Sequence, residues 1–266
     1  MLDLNTGSGA QYGGTSRSAG LSAALNGHID AALIAKNKAQ VARSYVSTSG
    51  LGRECMRQIQ YDFMAAPKDP EGEFEPSTLR IFEAGHRSED IVADWLRMAG
   101  FELRTHRQNG RQYGFEALNG RFKGHIDGVI LSGPPDVDLT YPCLWENKAL
   151  GINSWRDVVK RGVTVSKPVY AGQIAVYQAY LNLPNPALFT AHNRDTWEIY
   201  PEAVPFDSAL AQRMSDRAVQ VVKASAAQDL LPRIANDPAS ALCKGGRTGG
   251  GFHGRCSWYD LCWGKR

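Results

Sequence analysis

The sequence predicts an α/β fold, a central mixed β-sheet with helices on both sides. Three observations predict it. Two strand-like segments, 121–130 and 143–150, are separated by the loop-forming run Gly133-Pro134-Pro135-Asp136. Ahead of them a long helical pattern runs from Ser77 or Thr78 to about Ala99, with Gly100 placed to end it. After them, Lys167–Leu181 reads as a helix with Pro168 in its first turn and leads into a strand pair, 187–192 and 196–200, that turns at Asn193-Arg194-Asp195.

A chain of 266 residues is long enough for one well-buried domain with appendages or for two small ones. With 43% apolar and 21% charged residues it falls in the ordinary globular class, away from disordered chains and membrane proteins. Neither an apolar run long enough to cross a bilayer nor a basic segment leading into an apolar one is present, so a cytoplasmic location without a membrane partner is expected. A net charge of +3 makes only a weak global field, so contact with nucleic acid would rest on local basic patches.

Residues 1–20, rich in Gly, Ser and Thr, read as a flexible arm. Residues 21–76 form an N-terminal helical segment. Leu25, Ile29 and Leu33 recur at helical spacing, and Ser47-Thr48-Ser49-Gly50 opens onto a helix that follows Cys55. The three prolines in 66–76 make that stretch a loop. A core is expected over 77–228 and a Gly-rich, Cys-rich segment over 229–266.

Within the long helix, Phe82, Gly85, Glu89, Val92 and Leu96 share one stripe. Glu89 then faces inward, an unusual place for a carboxylate, with Gly85 a turn earlier to permit close approach. Segments 101–107 and 112–118 read as strands. In 121–130 the odd positions, Asp127 among them, share one face, while Phe122, Ile126 and Ile130 share the other, so Asp127 is expected inside a strand. In 143–150, Glu146 and Lys148 project from the same side of an otherwise apolar run. Buried charges must pair or bind a metal, whereas a solvated face would carry them without consequence. Residues 152–162 read as a short helix whose Arg156, Lys160 and Arg161 suit either a solvated face or a DNA contact. Gln173 and Tyr177 lie one turn apart. A helix over 207–227 buries Leu210, Met214, Val221 and Val222.

Five cysteines, an odd number, argue against a disulfide framework. Cys143 belongs to the core strand. The other four, Cys55, Cys243, Cys256 and Cys262, match the number that a [4Fe–4S] cluster or a structural zinc needs, and they lack the Cys-x-x-Cys pair of a zinc ribbon.

Asp127 followed on the next strand by Glu146-Asn147-Lys148 resembles the PD-(D/E)xK nuclease superfamily and its restriction-endonuclease-like core. The ordered series of Cys55 after a Ser-rich start, Gly85-x-x-x-Glu89, Asp127, Glu146-x-Lys148, Gln173-x-x-x-Tyr177 and three tail cysteines is similar to the RecB-like and Cas4-like branch, with its AddB-type iron–sulfur nucleases. That resemblance implies metal-dependent hydrolysis of DNA phosphodiesters, most simply by an exonuclease of recombination, repair or phage DNA processing acting on single- or double-stranded ends. It implies that Glu89, Asp127 and Glu146 hold Mg2+ or Mn2+, with His86 a second choice for the helix ligand. Lys148 orients or helps deprotonate the attacking water and offsets developing charge, and Gln173 and Tyr177 position the strand. Cys55, Cys243, Cys256 and Cys262 would hold a [4Fe–4S] cluster that staples the N- and C-terminal segments. The sequence departs from the pattern in spacing: twelve residues separate Cys243 from Cys256, where that branch has about two. This keeps open a structural Zn2+ on Cys243, His253, Cys256 and Cys262. Two other functions stay open, an accessory nuclease working with a CRISPR-adaptation or recombination protein, and a non-catalytic nucleic-acid-binding protein on the same fold. The intact Asp127, Glu146 and Lys148 speak against the last.

Overall fold

The computed structural model of the chain describes residues 16–248 and 251–264. These pack as two units: helix α1 (Ser16–Lys38) together with Phe74–Phe82, and the remainder from Ala42 onward. In the first unit Arg80 pairs with Asp30, and Phe74 meets Phe82 edge-on with ring centroids 5.1 Å apart. Helix α1 takes in residues 16–20 of the stretch expected as an arm; residues 1–15 lie outside the described residues. Its apolar spacing does not make a core face, since Leu21, Leu25 and Ile29 are 70%, 57% and 42% exposed. Alanines spread around the whole helix leave no concentrated stripe to bury.

The second unit begins with β1 (Val46–Ser47), α2 (Thr48–Leu51) and α3 (Met56–Phe63). Helix α4 (Pro76–Met98) then ends at Gly100, whose φ of +92° is left-handed. Its buried stripe holds Val92 and Ala93, with Glu89 and Leu96 half-buried, but Phe82 stays exposed and does not join it. The following segments, β2 (Leu103–Arg104) and β3 (Gly114–Ala117), are shorter than their alternation suggests.

The segment 121–130 is not one strand. It divides into β4 (Phe122–His125) and β5 (Gly128–Ile130), with Ile126 and Asp127 between them. Both of those side chains are buried, so the strict two-residue alternation fails there and the chain passes from one sheet to another. Strand β4 pairs with β3 and β1 in a three-stranded sheet of order β1-β4-β3. Strand β5 enters a five-stranded sheet with β6 (Cys143–Leu150), β7 (Ala187–Asn193) and β8 (Ile199–Val204) in the order β2-β5-β6-β7-β8. Only β6 and β7 are parallel, so the sheet is mixed, as the sequence predicts. Their crossover is α5 (Ile152–Ser166), kinked at Gly162, and α6 (Pro168–Tyr180). Strand β8 starts later than expected because Trp197 is drawn into the turn, its φ at +63° and its N–H donating to Asn193 O at 2.8 Å.

Helices cover both faces. Leu144, Leu150, Phe189 and Ala191 pack with Val158, Ile174 and Val176 of the crossover and with α7 (Ser208–Ala226) on one side. On the other, Cys143, Trp145 and Leu188 meet Val92 and Ala93 of α4. The near-continuous burial of β6 and β7 is what covering both faces of a parallel pair produces. The C-terminal stretch adds α8 (Ala241–Lys244), the antiparallel pair β9 (Gly246–Thr248) and β10 (Gly251–His253), and α9 (Tyr259–Trp263). It is stitched to the α3–α4 region: Asp69 accepts from Asp260 N–H at 2.7 Å, Trp258 donates to Ala66 O at 2.9 Å, and Gln60 donates to Asp229 O at 2.6 Å.

One glycine sets how closely β4 approaches helices α2 and α6. A Cβ on Gly124 of β4 would collide with the Thr48 hydroxyl and with the rings of Tyr177 and Phe115. Gly124→Ala is therefore expected to destabilise the fold by about 1–3 kcal/mol, the usual cost of overpacking, as read by urea denaturation.

Candidate active site

The break between β4 and β5 brings the acidic residues together. Asp127 sits at the crossing, and its Oδ2 accepts the Asn147 backbone N–H of β6 at 2.8 Å. One residue to either side of Asn147, Glu146 and Lys148 point to the same face, and the Lys148 ammonium donates to Glu146 Oε1. Glu89 approaches from α4. Burial first, then the Asp127 charge, pushes its carboxyl up to about 7. Glu146 is fully buried, and burial followed by Asp127 pushes its carboxyl up to about 8. Asp127 is also raised by burial, against the pull of Lys148, the Asn147 N–H and His86. For Lys148, burial pulls the ammonium down, but Glu146 and Asp127 outweigh it and hold the group charged.

His86, exposed, reaches the site only through its charge on Asp127. Gly85 does not serve close packing: a Cβ there would meet open space, and its carbonyl accepts the Ser88 hydroxyl at 2.7 Å. Gln173 and Tyr177 come together behind Glu146, the amide donating to the phenol oxygen at 3.0 Å, with the two residues 6% and 2% exposed. Burial and then the Glu146 charge push the Tyr177 hydroxyl far above its ordinary range. In the basic helix, Arg161 is engaged by Asp157 through two hydrogen bonds of 2.7 Å, while Arg156 and Lys160 are exposed.

Residues that the sequence did not single out complete the site. Tyr170, one turn before Gln173, lies under Lys148 with the ammonium 5.4 Å from the ring centroid. On the opposite face of the sheet, Trp145 donates to Thr190 Oγ1 at 3.0 Å, and Thr190 donates to Asn147 Oδ1 at 2.9 Å. His192 lies 3.4 Å from the same amide and stacks on Trp197, ring centroids 5.3 Å apart. This network clamps Asn147, and with it the N–H that holds Asp127. Helical spacing pointed to Tyr170 once Gln173 was in view; nothing in the sequence marked Asn147.

Among the described residues, no three or more His, Cys, Asp or Glu side chains close onto one point as they would around an ion. The carboxylate group nonetheless has the chemistry of a divalent-cation site. Glu146 Oε2 is buried without a hydrogen-bond partner among the described residues, and Glu89, Asp127 and Glu146 raise one another's affinity for a positive charge. Hard oxygen donors of this kind suit Mg2+ or Mn2+.

The cysteines divide as their positions suggest. Cys143 is buried in the core, its thiol pushed up by burial to about 11. Cys55, at the start of α3, lines one cavity with Cys243, Cys256 and Cys262, beside Tyr61 and Trp263. Burial, then the neighbouring thiols, raises Cys243, and the same causes push Cys256 to about 11. Arg57 reaches the Cys262 sulfur at 3.9 Å. The four cysteines thus line a common cavity, although among the described residues they do not close onto one point as ligands of an ion would. The His253 side chain lies outside the described residues.

No family model and no curated protein matches the sequence. Among solved structures, the fold is similar to that of an alkaline exonuclease (LHK-Exo) from Laribacter hongkongensis, with a TM-score of 0.50 and 14% identity over 70% of this chain and 90% of that one. The same exonuclease in complex with dAMP aligns with a TM-score of 0.48 and 14% identity, over 70% of this chain and 89% of that one. A protein designated SSO0001 aligns with a TM-score of 0.45 and 14% identity, over 74% of this chain and 86% of that one. The likeness to the alkaline exonuclease supports a nuclease fold, and at this identity it bears on the fold alone.

If the carboxylates take a divalent cation, adding Mn2+ should stabilise the protein, by about 2.7 kcal/mol at a hundredfold excess over its dissociation constant. Glu89→Gln is expected to melt higher than the wild type without metal, because one of three crowded charges is gone, and to gain less from Mn2+. His86→Ala should gain as much as the wild type. Thermal melts with and without Mn2+ measure all three.

Proposed function

We propose that the chain is a divalent-metal-dependent nuclease that hydrolyses DNA phosphodiester bonds, working as an exonuclease in recombination, repair or phage DNA processing. The observation that carries this is the gathering of Glu89, Asp127, Glu146 and Lys148 at the sheet crossing, with a buried carboxylate oxygen of Glu146 unpartnered among the described residues. Likeness of fold to an alkaline exonuclease supports the same reading.

Glu89, Asp127 and Glu146 would hold Mg2+ or Mn2+, which when bound polarises a phosphate and makes a coordinated water more acidic. The chain's own residues do the rest. Asn147 N–H fixes the Asp127 carboxylate. Lys148, hydrogen-bonded to Glu146, would orient the attacking water or help to deprotonate it. Its ammonium offsets the charge that gathers on the non-bridging oxygens as water oxygen bonds to phosphorus and the ester bond to the leaving oxygen breaks. Tyr170 beneath it limits where that ammonium points. Gln173 and Tyr177, joined by a hydrogen bond of 3.0 Å and buried near Glu146, would position the strand.

We further propose that Cys55, Cys243, Cys256 and Cys262 hold a [4Fe–4S] cluster, as in the RecB-like and Cas4-like branch. Support comes from Cys55 sharing one cavity with the three tail cysteines, which a zinc site of Cys243, His253, Cys256 and Cys262 would not require. Such a cluster would close a loop of nearly 190 residues, adding to hydrogen bonds that already join those segments.

Lys148→Ala is expected to lower cleavage of end-labelled DNA in Mn2+ at least a hundredfold while DNA affinity changes by less than about threefold, since phosphate contacts elsewhere dominate binding. Near-wild-type cleavage would remove the catalytic assignment. Anaerobically purified wild type should be brown with about four irons per chain. Cys55→Ala should bleach it and lower its melting temperature, whereas Cys143→Ala should keep the colour. A colourless protein with one zinc would replace the cluster by the alternative site.

A further inference from the structure

The turn between β2 and β3 forms a feature that the catalytic reading does not use. Together with β4 it bounds a cleft of about 440 Å3 lined by Arg107, Asn109, Arg111, Gln112, Phe115 and His125. We infer that this cleft grips the sugar-phosphate backbone of the nucleic acid, holding the strand beside the candidate active site. The inference deepens the proposed function and rests on it for the nature of the ligand.

Charge is the first ground. From Leu103 to Phe115 the chain carries Arg104, Arg107 and Arg111 and no acidic residue. Arg104 is paired with Glu102 at 2.6 Å. Arg107 and Arg111 are exposed, and neither has a carboxylate partner among the described residues. The one carboxylate in the cleft wall, Glu116, is already held by Lys123 at 3.0 Å. Two guanidinium groups therefore face an open, uncompensated cleft. Their planar forks match phosphate oxygens.

Order is the second. The turn is built by its own backbone: Arg107 N–H donates to Arg111 O at 2.8 Å, Gly110 N–H to Arg107 O at 2.9 Å, and Arg111 N–H to the Asn109 side chain at 3.1 Å. Gly110, at a φ of +74°, permits the reversal. Arg107 lies 5.3 Å over the Tyr113 ring and donates to Gly114 O at 3.1 Å. A pre-ordered arginine loses less entropy when it binds than one waving in solvent.

Position is the third. Gln112 Nε2 donates to Ile126 O, and Ile126 N–H donates to Tyr113 O, both at 3.0 Å. Ile126 is the residue before Asp127, so the wall of the cleft and the candidate metal-binding carboxylate share one stretch of backbone. A strand lying along Arg107 and Arg111 would be delivered to the crossing of the two sheets. Phe115, the aromatic in the wall, is buried against Phe122 and Tyr180, so the cleft has no base-stacking platform from it. Grip through phosphates makes that part of the binding insensitive to sequence.

The test is fluorescence anisotropy of labelled DNA with the full chain, without added metal, across a range of salt concentrations. Arg107→Gln combined with Arg111→Gln should weaken binding about tenfold or more and reduce the slope of log affinity against log salt by about 2, and Arg111→Gln alone by about 1. Arg111 makes no side-chain contact on which folding depends, so the single variant keeps the test valid if Arg107→Gln disturbs the turn. Arg213→Gln, removing an equally exposed charge on α7, should leave the slope unchanged. An unchanged slope in the double variant, or an equal drop in Arg213→Gln, overturns the inference. Hydrolysis of bis(p-nitrophenyl) phosphate by the wild type in Mn2+ separates the two readings. No hydrolysis with an arginine-dependent slope overturns the nuclease and leaves the cleft; hydrolysis with an arginine-independent slope overturns the cleft alone.

Discussion

Three carboxylates crowded against one ammonium at a crossing of two sheets is the constraint on which the rest of this structure depends. Removing one partner from a buried ion pair costs about 3–5 kcal/mol, while a whole domain is stable by only about 5–15 kcal/mol. Lys148 alone faces Glu89, Asp127 and Glu146, and burial first, then repulsion among the carboxylates, raises the carboxyls of Glu89 and Glu146. A fold that keeps such an arrangement must brace it strongly. The bracing is visible in the Lys148–Glu146 hydrogen bond and in the Trp145–Thr190–Asn147 hydrogen-bond chain whose Asn147 N–H holds Asp127.

The same constraint explains which parts were legible in the sequence. The mixed sheet, the long α4 ending at Gly100, and Glu146 and Lys148 on one face of a strand all follow from local periodicity, which neighbours do not alter. Asp127 is expected inside a strand and instead lies between β4 and β5. Alternation over 121–130 predicts one continuous strand because Phe122, Ile126 and Ile130 keep the period, yet the backbone leaves one sheet for another between them. The signal of a change of sheet is Asp127-Gly128 itself. A Cβ on Gly128 would press on Leu103 and Trp145, so the glycine admits the strand to the second sheet. Seen alone in a sequence, it reads only as a small residue in an apolar run.

Gly85 and α1 show the opposite case, in which a pattern is present and close packing does not follow from it. A glycine one turn before an inward carboxylate suggested tight packing, whereas the space beside Gly85 is open. Leu25 and Ile29 recur at helical spacing and the helix forms, yet both are exposed. Periodicity states which residues share a side of an element; it does not state that anything covers that side. Asn147 could not be found at all by such reasoning. Its backbone N–H is taken by Asp127 and its side chain by Thr190 and His192, and only the register of β6 on β7, Asn147 opposite Thr190, brings those side-chain partners to it.

That double role gives the middle residue of Glu146-Asn147-Lys148 a physical purpose. An N–H in a central strand would ordinarily donate to the neighbouring strand, and here it is diverted to the Asp127 carboxylate because β5 begins only at Gly128. The diversion holds Asp127 toward Glu146 against their mutual repulsion. Thr190 and His192 of the neighbouring strand hold the Asn147 side chain, adding to the backbone ladder that pairs β6 with β7 on either side of it. The position of Asp127 is thereby tied, through Asn147, to a buried hydrogen-bond network on the Trp145 side of β6.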